Sequence, residues 1–253
     1  MSDYYNSNGI YQYLSDNSLD RFEFVSGNCW QLVYGNKDAD PLLLVLVYGY
    51  EDLFNSSSVP TSIENGYKTL EKLSYSSELP IIFVAFNQSE DDIEKVIIST
   101  DFNNFSTITL EDLTGIYKSY NLPVRNAKTK KYLNDKTSSA YHKWQRDQLG
   151  SDLVVSDIDL CAIKNTQLSA IFELKRSFIS LEKWSPYPDD YRNFILISKL
   201  CHKAGIKFFI IYNVRKKNPT KDIVDKIKIF RLVYKNGLKI GKGEIHPINE
   251  LFK

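Results

Sequence analysis

Residues 156–177, SDIDLCAIKNTQLSAIFELKRS, constrain the fold more than any other part of this chain. Two largely apolar segments, each with alternating charged residues at its end far from the turn, flank a polar segment at 165–167, which is the pattern of two strands joined by a turn. A three-residue turn would set these residues opposite each other: Lys164 and Leu168, Ala162 and Ala170, Leu160 and Phe172, and Ile158 and Leu174. A register shift of one residue would mix both faces. The segment therefore predicts an antiparallel hairpin with one apolar face.

The other face of the predicted hairpin is charged. The same register places Asp159 opposite Glu173 and Asp157 opposite Lys175, with directly opposed Cβ atoms about 4.5–5.5 Å apart. Two carboxylates that close would repel and raise one pKa unless a cation lay between them. Mg²⁺ prefers oxygen ligands, and Mn²⁺ is expected to substitute for it. A bound metal would polarise a phosphate and activate water, while Lys175 held or activated that water or neutralised charge. The pattern predicts metal-assisted phosphodiester hydrolysis.

A structural explanation of the same residues is a set of buried ion pairs. Asp157 would pair with Lys175, and Asp159 would pair with a neighbouring Arg or Lys. Buried ion pairs contribute little net stability, so they are a weak reason for several acids on one strand face. We therefore favour the metal site.

The motif DIDL…FELK resembles the PD-(D/E)-x-K nuclease superfamily, which has the restriction-endonuclease-like fold, over residues 138–235. The resemblance implies an α/β fold with a mixed sheet flanked by helices in the C-terminal half. It also implies the roles of four residues: Asp159 and Glu173 as metal ligands and catalytic acids, Leu174 as a ligand through its carbonyl, and Lys175 as the catalytic lysine.

Two features depart from the superfamily pattern. Ser156 stands where a proline often precedes the aspartate, so Asp157 is an alternative metal ligand. Some members take an acid from the helix before the hairpin, and Asp147 is the candidate here, with His142 on the same segment.

The charge is divided unequally along the chain. Residues 1–124 contain 6 Lys and Arg against 18 Asp and Glu, and residues 125–253 contain 26 against 13. A basic half suits nucleic acid, although the two halves could also simply attract each other. We predict an acidic, non-catalytic lobe at 1–122 for dimerisation, partner binding or ligand sensing, a basic linker at 123–138 and a nuclease domain at 139–253.

The acidic lobe has the strand and helix order of the basic half. Both halves read as β-β-α-β-β, so the N-terminal lobe is interpreted as a degenerate repeat of the nuclease domain. Its second strand, LLLVLVYGYED, offers Val, Tyr and Gly where Glu-x-Lys would fall. One active lobe per chain predicts nicking, or a homodimer for double-strand cleavage.

Basic and aromatic residues in three loops are the predicted contacts to nucleic acid, each with the alternative of a solvated or self-pinning loop. They are Lys130, Lys131, Trp184, Tyr191, Arg215, Lys216 and Lys217. DNA is preferred over RNA as the substrate. The alternatives are an RNA endonuclease and a non-catalytic nucleic-acid-binding protein.

The expected location is the cytoplasm, with no membrane partner. The apolar runs are shorter than the ~20 residues of a membrane span, and the N-terminal residues lack the pattern of a signal peptide. Three cysteines, Cys29, Cys161 and Cys201, are expected to be buried thiols in a reducing compartment.

Overall fold

The computed structural model describes residues 8–25, 27–51, 53–56, 59–125, 127–128 and 139–252. The helices are α1 (Gly9–Asp16), α2 (Thr61–Ser77), α3 (Leu110–Ser119), α4 (Ala140–Gln148), α5 (Tyr191–Ala204) and α6 (Ile248–Leu251). The strands are β1 (Phe22–Glu23), β2 (Cys29–Gly35), β3 (Pro41–Tyr50), β4 (Ile81–Asn87), β5 (Lys95–Ser99), β6 (Ser106–Thr109), β7 (Val154–Asp157), β8 (Leu160–Lys164), β9 (Gln167–Ser177), β10 (Lys207–Lys216), β11 (Lys221–Tyr234), β12 (Leu238–Ile240) and β13 (Glu244–Pro247).

The strands form two mixed sheets flanked by helices. The N-terminal sheet has the order β6-β5-β4-β3-β2-β7, and the C-terminal sheet has the order β1-β8-β9-β10-β11-β12, with β13 also pairing with β11. In each sheet one pair is parallel, β3 with β4 and β9 with β10, and a helix connects the two strands. A parallel pair needs such a crossover. The predicted α/β class with mixed sheets and flanking helices is confirmed at this level.

Both sheets repeat one strand order and one register. The parallel pairing begins with Leu44 opposite Ile81 in the N-terminal sheet and with Ala170 opposite Lys207 in the C-terminal sheet, at the same separation along the chain. An antiparallel strand lies on each side of the parallel pair in both sheets. The β-β-α-β-β order expected in both halves is therefore present.

Each half of the chain contributes one helix and one strand to the sheet of the other half. Strand β1 pairs with β8 in the C-terminal sheet, and β7 pairs with β2 in the N-terminal sheet. We call α1 with β1, and α4 with β7, the exchanged arms. The predicted domain boundaries at 122 and 139 divide the chain into consecutive segments. Each sheet, however, contains strands from both sides of these boundaries. Most of the predicted linker, 126 and 129–138, lies outside the described residues.

Apolar side chains hold the exchanged arms in place. From α1, Ile10 and Leu14 pack with Leu160 of β8 and Ile211 of β10. From α4, Tyr141 and Trp144 pack into the core of the N-terminal sheet, and both side chains are buried. Burial of such side chains contributes about 1.5–3 kcal/mol each. Both arms are thus part of the hydrophobic core.

Helices α2 and α5 share the central core with both sheets. Leu70 of α2 and Leu200 of α5 are in the same buried cluster as Leu46 of β3 and Ile210 of β10. The three cysteines are free buried thiols, as expected, and burial raises the pKa of each. No helix among the described residues is long and apolar enough to cross a membrane.

Candidate active site

The β8–β9 hairpin has the predicted register beyond its turn. Leu160 lies opposite Phe172 and Ala162 opposite Ala170. The turn contains two residues, Asn165 and Thr166, both with positive φ, so the three-residue turn was wrong. Such a two-residue turn matches the twist of the strands, and a bulge after Ala162 restores the register. In consequence Lys164 pairs with Gln167 instead of Leu168.

The chain passes from one sheet to the other immediately before β8. Asp157 is the last residue of β7 and lies opposite Leu32 in the N-terminal sheet, and the Ile158 N–H donates to the carbonyl of Gln31 at 2.8 Å. The expected pairs of Asp157 with Lys175 and of Ile158 with Leu174 were therefore wrong. Asp157 remains near enough to raise the pKa values of Asp159 and Glu173.

Asp159 is held at this crossing point by two hydrogen bonds. Its Oδ2 accepts the backbone N–H of Leu174 at 2.7 Å, and its carbonyl accepts the hydroxyl of Tyr11 at 2.7 Å. The first bond ties the carboxylate to β9 and the second ties the backbone to α1. Asp159 is thus positioned beside Glu173 without being a residue of the β8 ladder.

Glu173 and Lys175 project from β9 toward α5. The Glu173 side chain is buried, and its Oε1 lies 2.9 Å from Lys175 Nζ. The same ammonium lies 3.3 Å from Oδ2 of Asp190 and 5.7 Å from the ring centroid of Phe194. Sequence reasoning missed Asp190, which closes the 3-10 turn Pro188–Asp190 just before α5. The Pro-Asp-Asp run at 188–190 is the signal that could have indicated it, because proline and acidic residues are frequent at helix starts.

The electrostatics of these residues indicate a site that lacks positive charge. Burial raises the pKa of Asp159 well above its ordinary value, and the carboxylates of Glu173 and Asp157 raise it further. Burial also raises the pKa of Glu173, although Lys175 opposes the shift. Burial lowers the pKa of Lys175, but the carboxylates of Glu173 and Asp190 outweigh this effect and raise it. Lys175 is therefore charged and compensates the acids only in part.

Asp159 and Glu173 are the described residues that could hold a magnesium ion. Mg²⁺ is usually bound through one or two carboxylates and completes its shell with waters and substrate phosphates. Asp159 and Glu173 supply two carboxylates whose repulsion a cation would relieve, and the predicted third ligand is the Leu174 carbonyl between Glu173 and Lys175. Within the described part of the chain, no group of three or more His, Cys, Asp or Glu side chains is arranged for a metal.

The alternative acid from the preceding helix lies elsewhere. Asp147 forms an ion pair with Lys128 at 3.3 Å and lines a separate cavity with Asp92 and Glu111. His142 packs against Trp30 with ring centroids 4.9 Å apart, and burial lowers its pKa to about 4. We therefore do not include Asp147 or His142 among the site residues.

The structure separates the predicted nucleic-acid contacts. Lys216 and Lys217 are exposed at the tip of the β10–β11 hairpin, and Tyr191 is 38% exposed. Arg215 instead lies 3.1 Å from Asp222, and Trp184 is buried with its ring stacked on Tyr212 at 4.1 Å. These contacts occupy both groups, so we remove them from the nucleic-acid surface. The predicted contacts Lys130 and Lys131 lie outside the described residues.

The corresponding positions of the N-terminal sheet carry no acid or lysine. Val47 and Gly49 stand as far after Leu44 as Glu173 and Lys175 stand after Ala170, where the two parallel pairings begin. The partner of Val47 across the antiparallel ladder is Trp30. This agrees with the Val, Tyr and Gly expected there.

Comparisons with known proteins give little. No protein family and no curated protein matches the chain. A crystal structure of a sex pheromone precursor from Lactobacillus salivarius shares 8% identity at a TM-score of 0.16, over 79% of this chain and 62% of the other, less than two thirds of its length. A crystal structure of the sex pheromone staph-cAM373 precursor shares 9% identity at a TM-score of 0.16, over 96% and 91%. Neither likeness bears on fold or function at these scores.

Replacing Asp159 by Asn should stabilise the metal-free protein. The amide oxygen can still accept the Leu174 N–H, while the repulsion from Glu173 and Asp157 disappears. An acid with a raised pKa costs stability above its ordinary pKa, so we expect a gain of about 1–3 kcal/mol at pH 8. The gain should shrink as the pH falls toward the ordinary pKa of an aspartate, because the raised pKa favours the uncharged form. Urea unfolding with a chelator at pH 8 and at lower pH measures it. A loss of stability at pH 8 would refute this electrostatic interpretation.

Proposed function

We propose that the chain is a metal-dependent nuclease that hydrolyses phosphodiester bonds of DNA as an endonuclease. The observation that carries the proposal is the position of Asp159, Glu173 and Lys175 in one site, where two buried carboxylates have raised pKa values beside a charged lysine. These are the three residues to which the PD-(D/E)-x-K resemblance assigns catalysis.

The reaction adds water to the phosphorus and breaks one P–O bond, which leaves a phosphate monoester and a free hydroxyl. A magnesium ion held by Asp159 and Glu173 would supply Lewis acidity and a more acidic water. Lys175 is charged because of Glu173 and Asp190, so it is suited to stabilise negative charge on the phosphate. The same charge makes it a poor base for the attacking water.

The hydrogen bond from Leu174 N–H to Asp159 supports a preorganised site. It fixes one carboxylate oxygen to the strand that carries Glu173 and Lys175. A catalytic acid that is held in place loses no free energy in reorganisation during the reaction. Because the N-terminal sheet offers Val47 and Gly49 at the matching positions, we propose one cut per chain. A homodimer is then the route to double-strand cleavage.

A digestion assay tests the proposed activity. Supercoiled plasmid, single-stranded DNA and RNA are incubated with chelator, Mg²⁺ or Mn²⁺. We expect nicking of the plasmid only with metal. Cleavage of RNA alone would identify an RNA endonuclease instead. Salt-sensitive binding without cleavage under any of these conditions would indicate a non-catalytic nucleic-acid-binding protein.

A further inference from the structure

Exposed apolar side chains are concentrated from the end of β9 to the first residue of α5. Among the described residues, four of the eight exposed large hydrophobic side chains lie within 178–191. We call these four the aromatic rim: Phe178 (52% exposed), Ile179 (38%), Tyr187 (45%) and Tyr191 (38%). Exposed aromatic rings within one short segment are the kind of side chain on which nucleic-acid bases stack.

The aromatic rim borders the candidate active site. Phe178 is the third residue after Lys175, which places its Cα roughly 10 Å farther along an extended chain. Tyr191 directly follows Asp190, whose carboxylate contacts Lys175. Two members of the rim are thus close along the chain to Lys175 and Asp190.

Buried contacts beneath the rim hold this loop in position. Trp184 stacks on Tyr212, whose hydroxyl donates to the carbonyl of Ile179 at 2.5 Å. Lys228 Nζ donates to the carbonyl of Trp184 at 2.9 Å. The loop is therefore fixed from below while its outer rings face solvent, and a preorganised surface loses less entropy on binding.

Positive charge lies next to the aromatic rim. Lys217 Nζ is 4.9 Å from the ring centroid of Phe178. Lys216 and Lys221 are exposed and directly opposite each other in the β10–β11 ladder. Like charges in that arrangement are destabilising, and a bound anion would relieve them. We call Lys216, Lys217 and Lys221 the lysine tip.

We propose that the aromatic rim and the lysine tip bind single-stranded nucleic acid, so that unpaired strands are the preferred substrate. This inference rests on the proposed function and specifies its substrate. Aromatic side chains stack on bases whose faces are open, as in single strands, while lysines follow the phosphates. A duplex keeps its bases stacked and would engage only the lysine tip.

Binding measured in chelator separates this inference from catalysis. Fluorescence anisotropy compares a labelled oligo(dT) strand with a duplex of equal length. We expect tighter binding of the single strand, weakened roughly 5- to 100-fold by Phe178→Ala or by Tyr187→Ala. Duplex binding should not change in either variant. Lys217→Ala should weaken both ligands and reduce their salt dependence.

A matched control is available on α2. Tyr75 is 90% exposed and belongs to neither the rim nor the site, so Tyr75→Ala should bind both ligands as the wild type does. Equal affinity for strand and duplex, absence of binding, or rim variants without effect would each overturn the inference. Single-strand binding without metal-dependent cleavage would instead support the binding role of the rim and contradict the proposed nuclease activity. Metal-dependent cleavage that is unchanged in Phe178→Ala and Tyr187→Ala would support the nuclease activity and contradict the binding role of the rim.

Discussion

Glu173→Gln is expected to slow metal-dependent cleavage by about 10³-fold or more. Glu173 is one of two carboxylates proposed to hold the metal, and it lies 2.9 Å from the lysine proposed to stabilise the phosphate charge. The amide removes a charged ligand and a partner of Lys175 in one change. Metal catalysis contributes several kcal/mol to such reactions, and each 1.4 kcal/mol corresponds to a factor of ten. The rate of plasmid nicking in Mg²⁺ measures the effect.

The matched control for this prediction is Glu182→Gln. Glu182 is exposed on the loop after β9, so the same change of acid to amide should leave the nicking rate unaltered. Thermal unfolding of both variants excludes loss of the fold as the cause. If Glu173→Gln nicks as fast as the wild type, the acids of this site are structural and the nuclease proposal fails.

Asp222→Ala is expected to lower the free energy of unfolding by about 3–5 kcal/mol. The Asp222 carboxylate lies 2.7 Å from Arg176 Nη1 and 3.1 Å from Arg215 Nε, and it accepts the Gly9 N–H at 3.0 Å. The side chain is 2% exposed. Its removal takes a counter-charge from two largely buried guanidinium groups and a hydrogen-bond partner from the start of α1. Urea unfolding measures the loss, and hydrogen exchange should rise first in α1.

The stability that Asp222 contributes should depend on pH. Burial raises its pKa, but the Gly9 N–H and the two arginines outweigh this effect and lower it below the ordinary value. A lowered pKa stabilises the fold above the ordinary pKa, and this stabilisation is lost as the pH falls through the lowered value. The difference between wild type and Asp222→Ala should therefore be full at pH 7 and smaller in acid.

Asp225→Ala provides the control on the same strand. Asp225 is exposed, so its replacement should change the free energy of unfolding by no more than about 0.5 kcal/mol. A loss for Asp222→Ala as small as that would mean that α1 is held by its apolar contacts alone.

Local patterns in the sequence predicted the hairpin, and they predicted that Asp159, Glu173 and Lys175 lie near one another. The cross-strand pairs are sufficient because one register alone keeps Leu160 against Phe172 and Ala162 against Ala170. The turn was misjudged since Gln167 is as polar as the two true turn residues. Asp190 was missed because alternation within a strand does not show which helix end approaches its lysine.

Local sequence patterns did not predict which sheet each strand joins. The segment before Asp159 reads as one continuous strand, and neighbours in sequence usually pair in the fold. Here β7 pairs with β2, and after two intervening residues the chain enters a strand of the other sheet. The exposure of aromatic residues in loops was equally hard to predict. Trp184 and Tyr187 are both aromatic residues of one polar loop, and only the packing shows that Trp184 is buried and Tyr187 exposed.

The exchanged arms determine the order in which the two sheets can form during synthesis on the ribosome. Strand β2 has no partner on its outer side until β7, more than a hundred residues later, has been made. Open strand edges pair readily with other chains, so the nascent N-terminal half carries a transient aggregation hazard. The C-terminal sheet has the opposite position, because α1 and β1 are already synthesised when β8 emerges. The N-terminal sheet can therefore be completed only after β7 has been made, and the C-terminal sheet only after that.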